Sequence, residues 1–163
     1  MRRLALLLAL FVLSGCDKAE PGKPAARVEL RKLAANLVEL VTAQGTPPYC
    51  LAFSVAETGV VRQLTMSPGN KSVECEPGRP IGGGPLRIPV REGKVRIHVL
   101  FSSQKLDAAS VGEQMNDLAA GPGFSVLDLR LPGHVVSETI ELTPEPEPRP
   151  GGRAAPDPAD AGQ

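Results

Sequence analysis

Three cysteines and two histidines are the residues of this chain whose types best suit covalent or metal chemistry. Cys16, Cys50 and Cys75 could form a disulfide, act as redox thiols or bind zinc together with His98 and His134. Structural zinc sites and redox thiols usually draw on closely spaced pairs such as C-x-x-C. These five residues are scattered singly along the chain. The spacing therefore disfavours zinc and thiol redox chemistry, and leaves a disulfide or buried unpaired thiols as the alternatives.

Residue patterns typical of an enzyme site are weak in this sequence. His98 alternates with apolar residues in "VRIHVLF", and the sequence nominates no nucleophile or orienting group for it. The serines lack a G-x-S-x-G elbow. The run Gly82-Gly83-Gly84 precedes Pro85 and an extended segment rather than a helix, so we interpret it as a turn and not as a phosphate loop. We therefore expect no catalytic residue, no metal and no cofactor.

The first residues, "MRRLALLLALFVLSGC", have the layout of a secretory signal. Two cations precede ten apolar residues, which are too few to span a bilayer. The tetrad Leu13-Ser14-Gly15-Cys16 then resembles the lipobox of bacterial lipoproteins. The resemblance implies cleavage before Cys16 and acylation of its thiol and amine, which would hold the protein on a membrane. An ordinary signal peptide with an incidental cysteine is the alternative.

Export sets the expectation for the two other cysteines. If Cys16 carries lipid, Cys50 and Cys75 remain in a compartment where disulfides persist, so we expect them to be paired. Closing that loop would stabilise the fold by roughly 3 kcal/mol on the chain-entropy model. Asp17 after the lipidated cysteine resembles the inner-membrane retention signal of enteric bacteria, with the outer membrane as the alternative. The predicted location is the periplasmic side of a cell membrane.

The charge balance of the mature chain excludes one class of partner. Removal of residues 1–15 takes away Arg2 and Arg3, which reduces the 18 basic residues to 16 against 18 acidic ones. Binding of nucleic acid calls for a clustered basic surface, so we expect no nucleic-acid partner.

Composition divides the chain into four parts. Residues 1–15 form the predicted signal peptide, and residues 16–27 form the lipidated end and a polar tether. Residues 28–142 are one domain. Residues 143–163 hold six prolines and no aromatic or branched aliphatic side chain, which predicts a disordered tail.

Alternating apolar residues predict six antiparallel strands in the domain. The strands are expected at 49–55, 60–66, 85–90, 94–102, 124–131 and 135–142. Consecutive members are expected to pair as hairpins through "ETG", "REG" and "PGH". Their expected core-facing side chains form one apolar layer: Phe53, Leu64, Val95, Ile97, Val99, Phe101 and Leu129.

A helix is predicted at about 108–119. Ala108, Val111, Met115 and Leu118 lie on one side at helical spacing, and Ser110 with Glu113 matches a capping box.

The stretch 28–44 is ambiguous. Leu30, Leu33, Ala34, Leu37, Val38 and Val41 follow helical spacing, whereas 37–42 also suits a strand.

The segment from about 48 to 115 resembles an uncharacterised β-rich domain of exported and membrane-attached proteins in myxobacteria and related proteobacteria. The shared features are Gly59-Val60-Val61, Pro68-Gly69, Pro77-Gly78, Gly82-Gly83 and Phe101-Ser102. Cys50 and Cys75 depart from that pattern. The resemblance implies no catalytic residue, and it favours a strand over a helix at about 36–43.

These observations predict a mainly β protein: a small antiparallel β-sandwich-like domain with one short helix. The alternative is an α+β fold with a further helix at about 28–44. The predicted function is a membrane-anchored lipoprotein of the bacterial envelope, whose non-catalytic domain serves as an interaction or scaffold module for an envelope protein partner. A small periplasmic enzyme with a dispersed site is the alternative. The polar loop 67–84 is the candidate interaction surface, through Asn70, Lys71, Glu76, Arg79, Gly82 and Gly83.

Overall fold

A computed structural model describes residues 26–120 and 125–146. Eight strands and one helix follow in the order β1 (Val28–Ala34), β2 (Leu37–Thr42), β3 (Tyr49–Ala56), β4 (Val61–Gln63), β5 (Val73–Glu74), β6 (Leu86–Arg87), β7 (Val95–Ser102), α1 (Ala108–Ala119) and β8 (Val135–Leu142). The mainly β prediction, with one short helix at 108–119, is confirmed. The predicted signal peptide, Cys16 and most of the predicted tail lie outside the described residues.

Two antiparallel sheets form the sandwich. One has the strand order β1-β2-β6, and the other has the order β4-β3-β7-β8 with β5 also paired to β3. The long central pair β3–β7 runs from Tyr49 opposite Ser102 to Ala56 opposite Val95 without a shift. A tight turn joins β3 to β4, and Gly59 takes a φ of +84° there, which glycine adopts without strain.

The core consists of two apolar layers and not the single layer expected from the sequence. Between the sheets lie Val95, Ile97, Val99 and Phe101 from β7, with the disulfide and Val38 and Leu40 from β2. On the other face of the larger sheet, α1 covers Leu51, Phe53, Val55 and Leu100. Phe53 therefore belongs to the layer beneath the helix. Leu64 and Leu129 are only partly buried.

The alternative with a helix at 28–44 is wrong. That stretch folds as the hairpin β1–β2, in which Leu30 lies opposite Leu40 and the chain reverses at Ala35 and Asn36. The sandwich buries Val28, Val38 and Leu40 against the larger sheet, and this burial outweighs the helical periodicity.

Two further strand expectations are wrong. The 85–90 segment contributes only β6, which pairs with β2 and not with β7, so "REG" is not a hairpin loop. The 124–131 segment contains a 3-10 turn at Val126–Asp128 in place of a strand, with residue 124 outside the described residues. It packs on α1, where Gln114 Oε1 accepts from Arg130 N at 2.8 Å and Val126 is buried.

The helix begins differently from the predicted capping box. Asp107 is the N-cap, and its Oδ1 accepts from Ser110 N at 2.9 Å. Lys71 Nζ donates to Asp107 Oδ2 at 2.7 Å, and this bond together with the Ser110 N–H holds the pKa of Asp107 below its usual value. The carboxylate of an aspartate caps the first helical turn as well as a serine hydroxyl does.

Candidate partner-binding surface

The disulfide fixes the loop that the sequence nominated for binding. β5 pairs with the start of β3, and Cys75 N donates to Pro48 O at 2.8 Å. This places Cys75 beside Cys50, with their Cα atoms 6.0 Å apart, and the two sulfurs are bonded. The separation is within the usual range for a disulfide. The predicted Cys50–Cys75 pair is therefore confirmed, and the zinc set with His98 and His134 is not assembled.

The loop 67–84 is not a freely projecting arm, because the chain around Cys75 divides it into two anchored parts. The first part lies against the entry to α1: Ser72 N donates to Leu106 O and Leu106 N donates to Ser72 Oγ, both at 2.9 Å. The second part lies along β2: Gly78 N donates to Thr42 O, and Thr42 Oγ1 donates to Glu76 O at 2.7 Å. Ile81 from this part is almost fully buried in the sandwich.

The six predicted interaction residues are all exposed, and they are divided between the two anchored parts of the loop. Asn70 and Lys71 lie on the first part of the loop, beside α1. The second part carries the other four along β2: Glu76, Arg79, Gly82 and Gly83. Arg79 Nε and Glu76 Oε2 are 2.9 Å apart and pair with each other on the surface.

A groove of about 520 Å³ runs along the first part of the loop. Met66 lines it and is 79% exposed. Lys105 also lines the groove, with its Nζ 5.5 Å from the centre of the Tyr49 ring. The groove therefore combines an exposed thioether with two lysines, Lys71 and Lys105.

A second cleft, of about 200 Å³, lies where the 126–131 segment meets the start of β8. Leu127 stands at its rim with 86% of its surface exposed. The remaining wall is formed by Leu100, Val126, Leu129, Leu131, Gly133, Val135 and Ser137. Sequence reasoning missed this cleft because it assigned 124–131 to a strand paired with 135–142. The signal that was available is the run of leucines at 127, 129 and 131.

His98 is a buried side chain in the larger sheet. It lies on β7 between Phe53 of β3 and Thr139 of β8, and its Nδ1 is 2.9 Å from Thr139 Oγ1. Burial, with the Arg96 cation as a second cause, lowers the pKa of His98 to about 4. The imidazole is therefore neutral near pH 7 and is held by a cross-strand hydroxyl. His134 is exposed next to β8.

A third cleft, of about 310 Å³, lies at the end of the same face, beyond His98. Its lining carries both signs of charge, from Glu57, Lys94, Arg96 and Glu141. Lys94 Nζ and Glu141 Oε2 are 2.7 Å apart, which lowers the pKa of Glu141 and raises that of Lys94. Lys94 and Glu141 thus largely neutralise each other in this cleft.

Within residues 26–120 and 125–146, no group of three or more histidine, cysteine or acidic residues is placed to hold a metal ion. None of the helical structure in these ranges is long and apolar enough to cross a membrane.

No protein-family model, no curated protein and no solved structure matches this chain.

Proposed function

We propose that this chain is a lipid-anchored protein of the bacterial envelope whose β-sandwich binds a protein partner. In this proposal Cys16 carries the lipid, residues 17–27 tether the domain, and the folded part faces the periplasm. The domain acts as an accessory or scaffold module and catalyses no reaction.

The Cys50–Cys75 disulfide is the observation that carries the export part of the proposal. It lies inside the sandwich, with Cys50 fully buried and Cys75 only 6% exposed. Structural disulfides persist in oxidising compartments and are rare in the cytosol. A buried disulfide agrees with the lipobox-like tetrad Leu13-Ser14-Gly15-Cys16, and the two features come from separate parts of the chain.

The surface of the domain supports binding of a protein. Met66 and Leu127 are each more than three-quarters exposed, and each borders a groove or cleft. Large contiguous apolar patches mark interaction sites, and in this proposal each of these side chains is part of a surface that the partner covers. The groove beside Met66 carries both signs of charge, from Lys71, Lys105 and Glu74, which fits a protein partner better than a nucleic acid.

Metabolic labelling with a radioactive fatty acid tests the proposal. The full chain, expressed in a Gram-negative host, is expected to incorporate label and to sediment with membranes. Cys16→Ser is expected to lose the label and to remain an uncleaved precursor. Ser14→Ala is the matched control, because it keeps a small residue before the cleavage site and is expected to be labelled like the natural chain. Labelling of Cys16→Ser at the natural level would refute the lipid anchor.

A chemical cross-linking experiment tests the binding part separately. The lipidated chain, cross-linked in intact cells of its source, is expected to give a discrete adduct with one envelope protein. Recovery of the chain only as a monomer, in cells where it is lipidated and oxidised at Cys50 and Cys75, would refute the interaction module.

A further inference from the structure

Residues 143–146 follow β8 and lie against the turn of the β1–β2 hairpin. Glu145 N donates to Ala35 O at 2.9 Å, and Lys32 Nζ lies 2.6 Å from Glu145 Oε1. Pro144 is buried, although its neighbours on both sides are exposed. These four residues, which we call the strap, therefore hold the turn by one backbone hydrogen bond, one ion pair and one buried ring.

The strap acts on β1, the edge strand of its sheet, which pairs only with β2 among the described strands. A second contact holds the other end of β1, where Arg27 N donates to Glu138 Oε2. Arg27 and Ala35 flank β1, whereas Glu138 and Glu145 belong to β8 and to the strap that follows it. β8 and the strap therefore pass beside β1 in the same direction and fasten it to the larger sheet at both ends.

The two strands of the hairpin depend differently on these contacts. β2 is held by burial, because Val38 and Leu40 lie in the layer between the sheets and Asn36 O accepts from Ile88 N at 2.9 Å. β1 buries only Val28 among its seven residues, and residues 31–34 are all exposed. A shift in register also interrupts the pairing of β1 with β2 in this part. The strap is therefore the contact that fastens the 31–35 end of β1 to the larger sheet.

The contacts of the strap are individually weak. Lys32 and Glu145 keep 42% and 66% of their side-chain surface exposed, and solvent screens such pairs. One backbone hydrogen bond adds only a modest net stabilisation. Segments with few buried apolar contacts open locally at a lower free energy than the whole domain. The strap can therefore come off while the larger sheet, with its fully buried residues on β3 and β7, stays folded.

We propose that residues 143–146 are a releasable strap, which couples the start of the predicted tail to the conformation of the β1–β2 hairpin. With the strap released, the 31–35 end of β1 separates from the domain and the larger sheet stays folded. A ligand that binds "TPEP" only in its released form shifts the hairpin to this open state, because a ligand favours the state that it binds. The inference goes beyond the proposed partner binding and does not depend on lipid at Cys16.

Amide hydrogen exchange of the full chain, followed residue by residue by NMR, tests the inference. Ala43 N donates to Arg27 O, and hydrogen-bonded pairs alternate along the ladder, so Arg31 and Glu39 form such a pair near the strap. Val99, fully buried at the centre of the larger sheet, reports on unfolding of the whole domain.

Glu145→Pro is the decisive variant, because it removes the N–H that binds Ala35 O at an exposed position. We expect the Arg31 and Glu39 amides to exchange about tenfold faster in this variant, whereas the Val99 amide keeps its natural rate. Glu145→Gln is the matched control, because it keeps the N–H and loses only the ion pair. It should change the exchange of Arg31 and Glu39 by less than about twofold.

The natural chain provides a second measurement that needs no variant. Exchange of the Glu145 amide should depend little on urea at low concentration, because release of the strap exposes little surface, whereas exchange of Val99 should rise steeply. Unchanged exchange of Arg31 and Glu39 in Glu145→Pro would overturn the inference. It would also be overturned if Val99 accelerated as much as Arg31, or if the Glu145 and Val99 amides showed the same dependence on urea, because the strap would then open only with the whole domain.

Discussion

The guanidinium of Arg62 binds the carboxylate of Glu92 through two hydrogen bonds, one from Nε at 2.8 Å and one from Nη2. The pair joins β4 to the 3-10 turn that precedes β7. Only 5% of the Glu92 side chain is exposed, against 38% for Arg62. Glu92 Oε2 is buried with no hydrogen-bond partner among the described residues, so Arg62 supplies the stabilisation of this carboxylate. Removal of one member of such a pair leaves the other charge buried and uncompensated.

Arg62→Met is therefore expected to lower the free energy of unfolding by about 3 kcal/mol, near the lower end of the range for breaking buried pairs. Glu92→Gln is expected to cost only about 1 kcal/mol, because the amide oxygen still accepts from Arg62. Urea denaturation measures both. Lys94→Met, which breaks the exposed pair with Glu141, is the control and should leave the free energy of unfolding nearly unchanged, because solvent screens this pair. Equal losses in Arg62→Met and Lys94→Met would contradict the account of Glu92.

Reduction of the disulfide is expected to destabilise the domain by roughly 3 kcal/mol, because the bridge closes a long loop of the unfolded chain. Denaturant midpoints with and without reductant measure the effect. The double variant Cys50→Ala/Cys75→Ala should be insensitive to reductant. A natural chain whose midpoint does not respond to reductant, although its thiols become free, would show that the bridge does not stabilise the fold.

Phe101 lies in the layer between the sheets and is fully buried. Phe101→Ala is expected to cost about 3 to 5 kcal/mol, because it removes a large side chain from a site that cannot fully collapse. Leu129 belongs to the rim of the layer under α1 and is only partly buried. Leu129→Ala should therefore lower the free energy of unfolding clearly less than Phe101→Ala. Thermal or urea unfolding in which Leu129→Ala is the less stable variant would contradict this description of the core.

His98 predicts a loss of stability in mild acid. Its pKa is lowered to about 4 in the fold, against 6.5 in the unfolded chain. The unfolded state therefore takes up a proton at a pH where the native state does not. The contribution of the neutral, buried ring is complete above pH 6.5 and is lost progressively as the pH falls towards 4, by on the order of 3 kcal/mol in total.

Urea titrations at half-unit steps from pH 7.5 to 4 measure this slope. In His98→Gln the free energy of unfolding should change much less between pH 6.5 and 4.5 than in the natural chain. The exposed His134→Gln variant should keep the full change. The ion-paired carboxylates Asp107 and Glu141 have pKa values below their usual range and so act mainly at lower pH. Persistence of the full slope in His98→Gln would assign the titration to another group.

Local sequence patterns were sufficient to predict the helix and the three long strands of the larger sheet. α1 was predicted at 108–119 and spans Ala108–Ala119. β3, β7 and β8 lie within a residue of their predicted positions, because each alternates cleanly and ends at turn residues. The Cys50–Cys75 disulfide was predicted because the signal-like segment implies export to a compartment where disulfides persist.

Tertiary packing decided what the sequence pattern could not. The 28–42 stretch has helical spacing, yet each strand of its hairpin buries one face in the sandwich. The leucines of 127–131 alternate like a strand, but Val126 and the Gln114–Arg130 hydrogen bond hold that segment on α1. Within the described residues, this choice leaves the outer side of β8 without a paired strand and forms the cleft beside Leu127. The cleft beside Leu127 could therefore not be predicted by assigning each strand from its own sequence.

The start of the predicted tail also contacts the domain. Glu145 N donates to Ala35 O at 2.9 Å, and Lys32 Nζ lies 2.6 Å from Glu145 Oε1. Pro144 between them is buried as well, so proline-rich composition alone did not predict that the start of the tail packs on the domain.

The intact mass of the protein extracted from membranes without reductant tests the central claim most directly. The account predicts a polypeptide that begins at Cys16, carries a diacylglyceryl group and an acylated amine, and is two hydrogens lighter than its reduced form through the Cys50–Cys75 bond. A chain that begins at any other residue, or that carries an unmodified Cys16, would contradict the account.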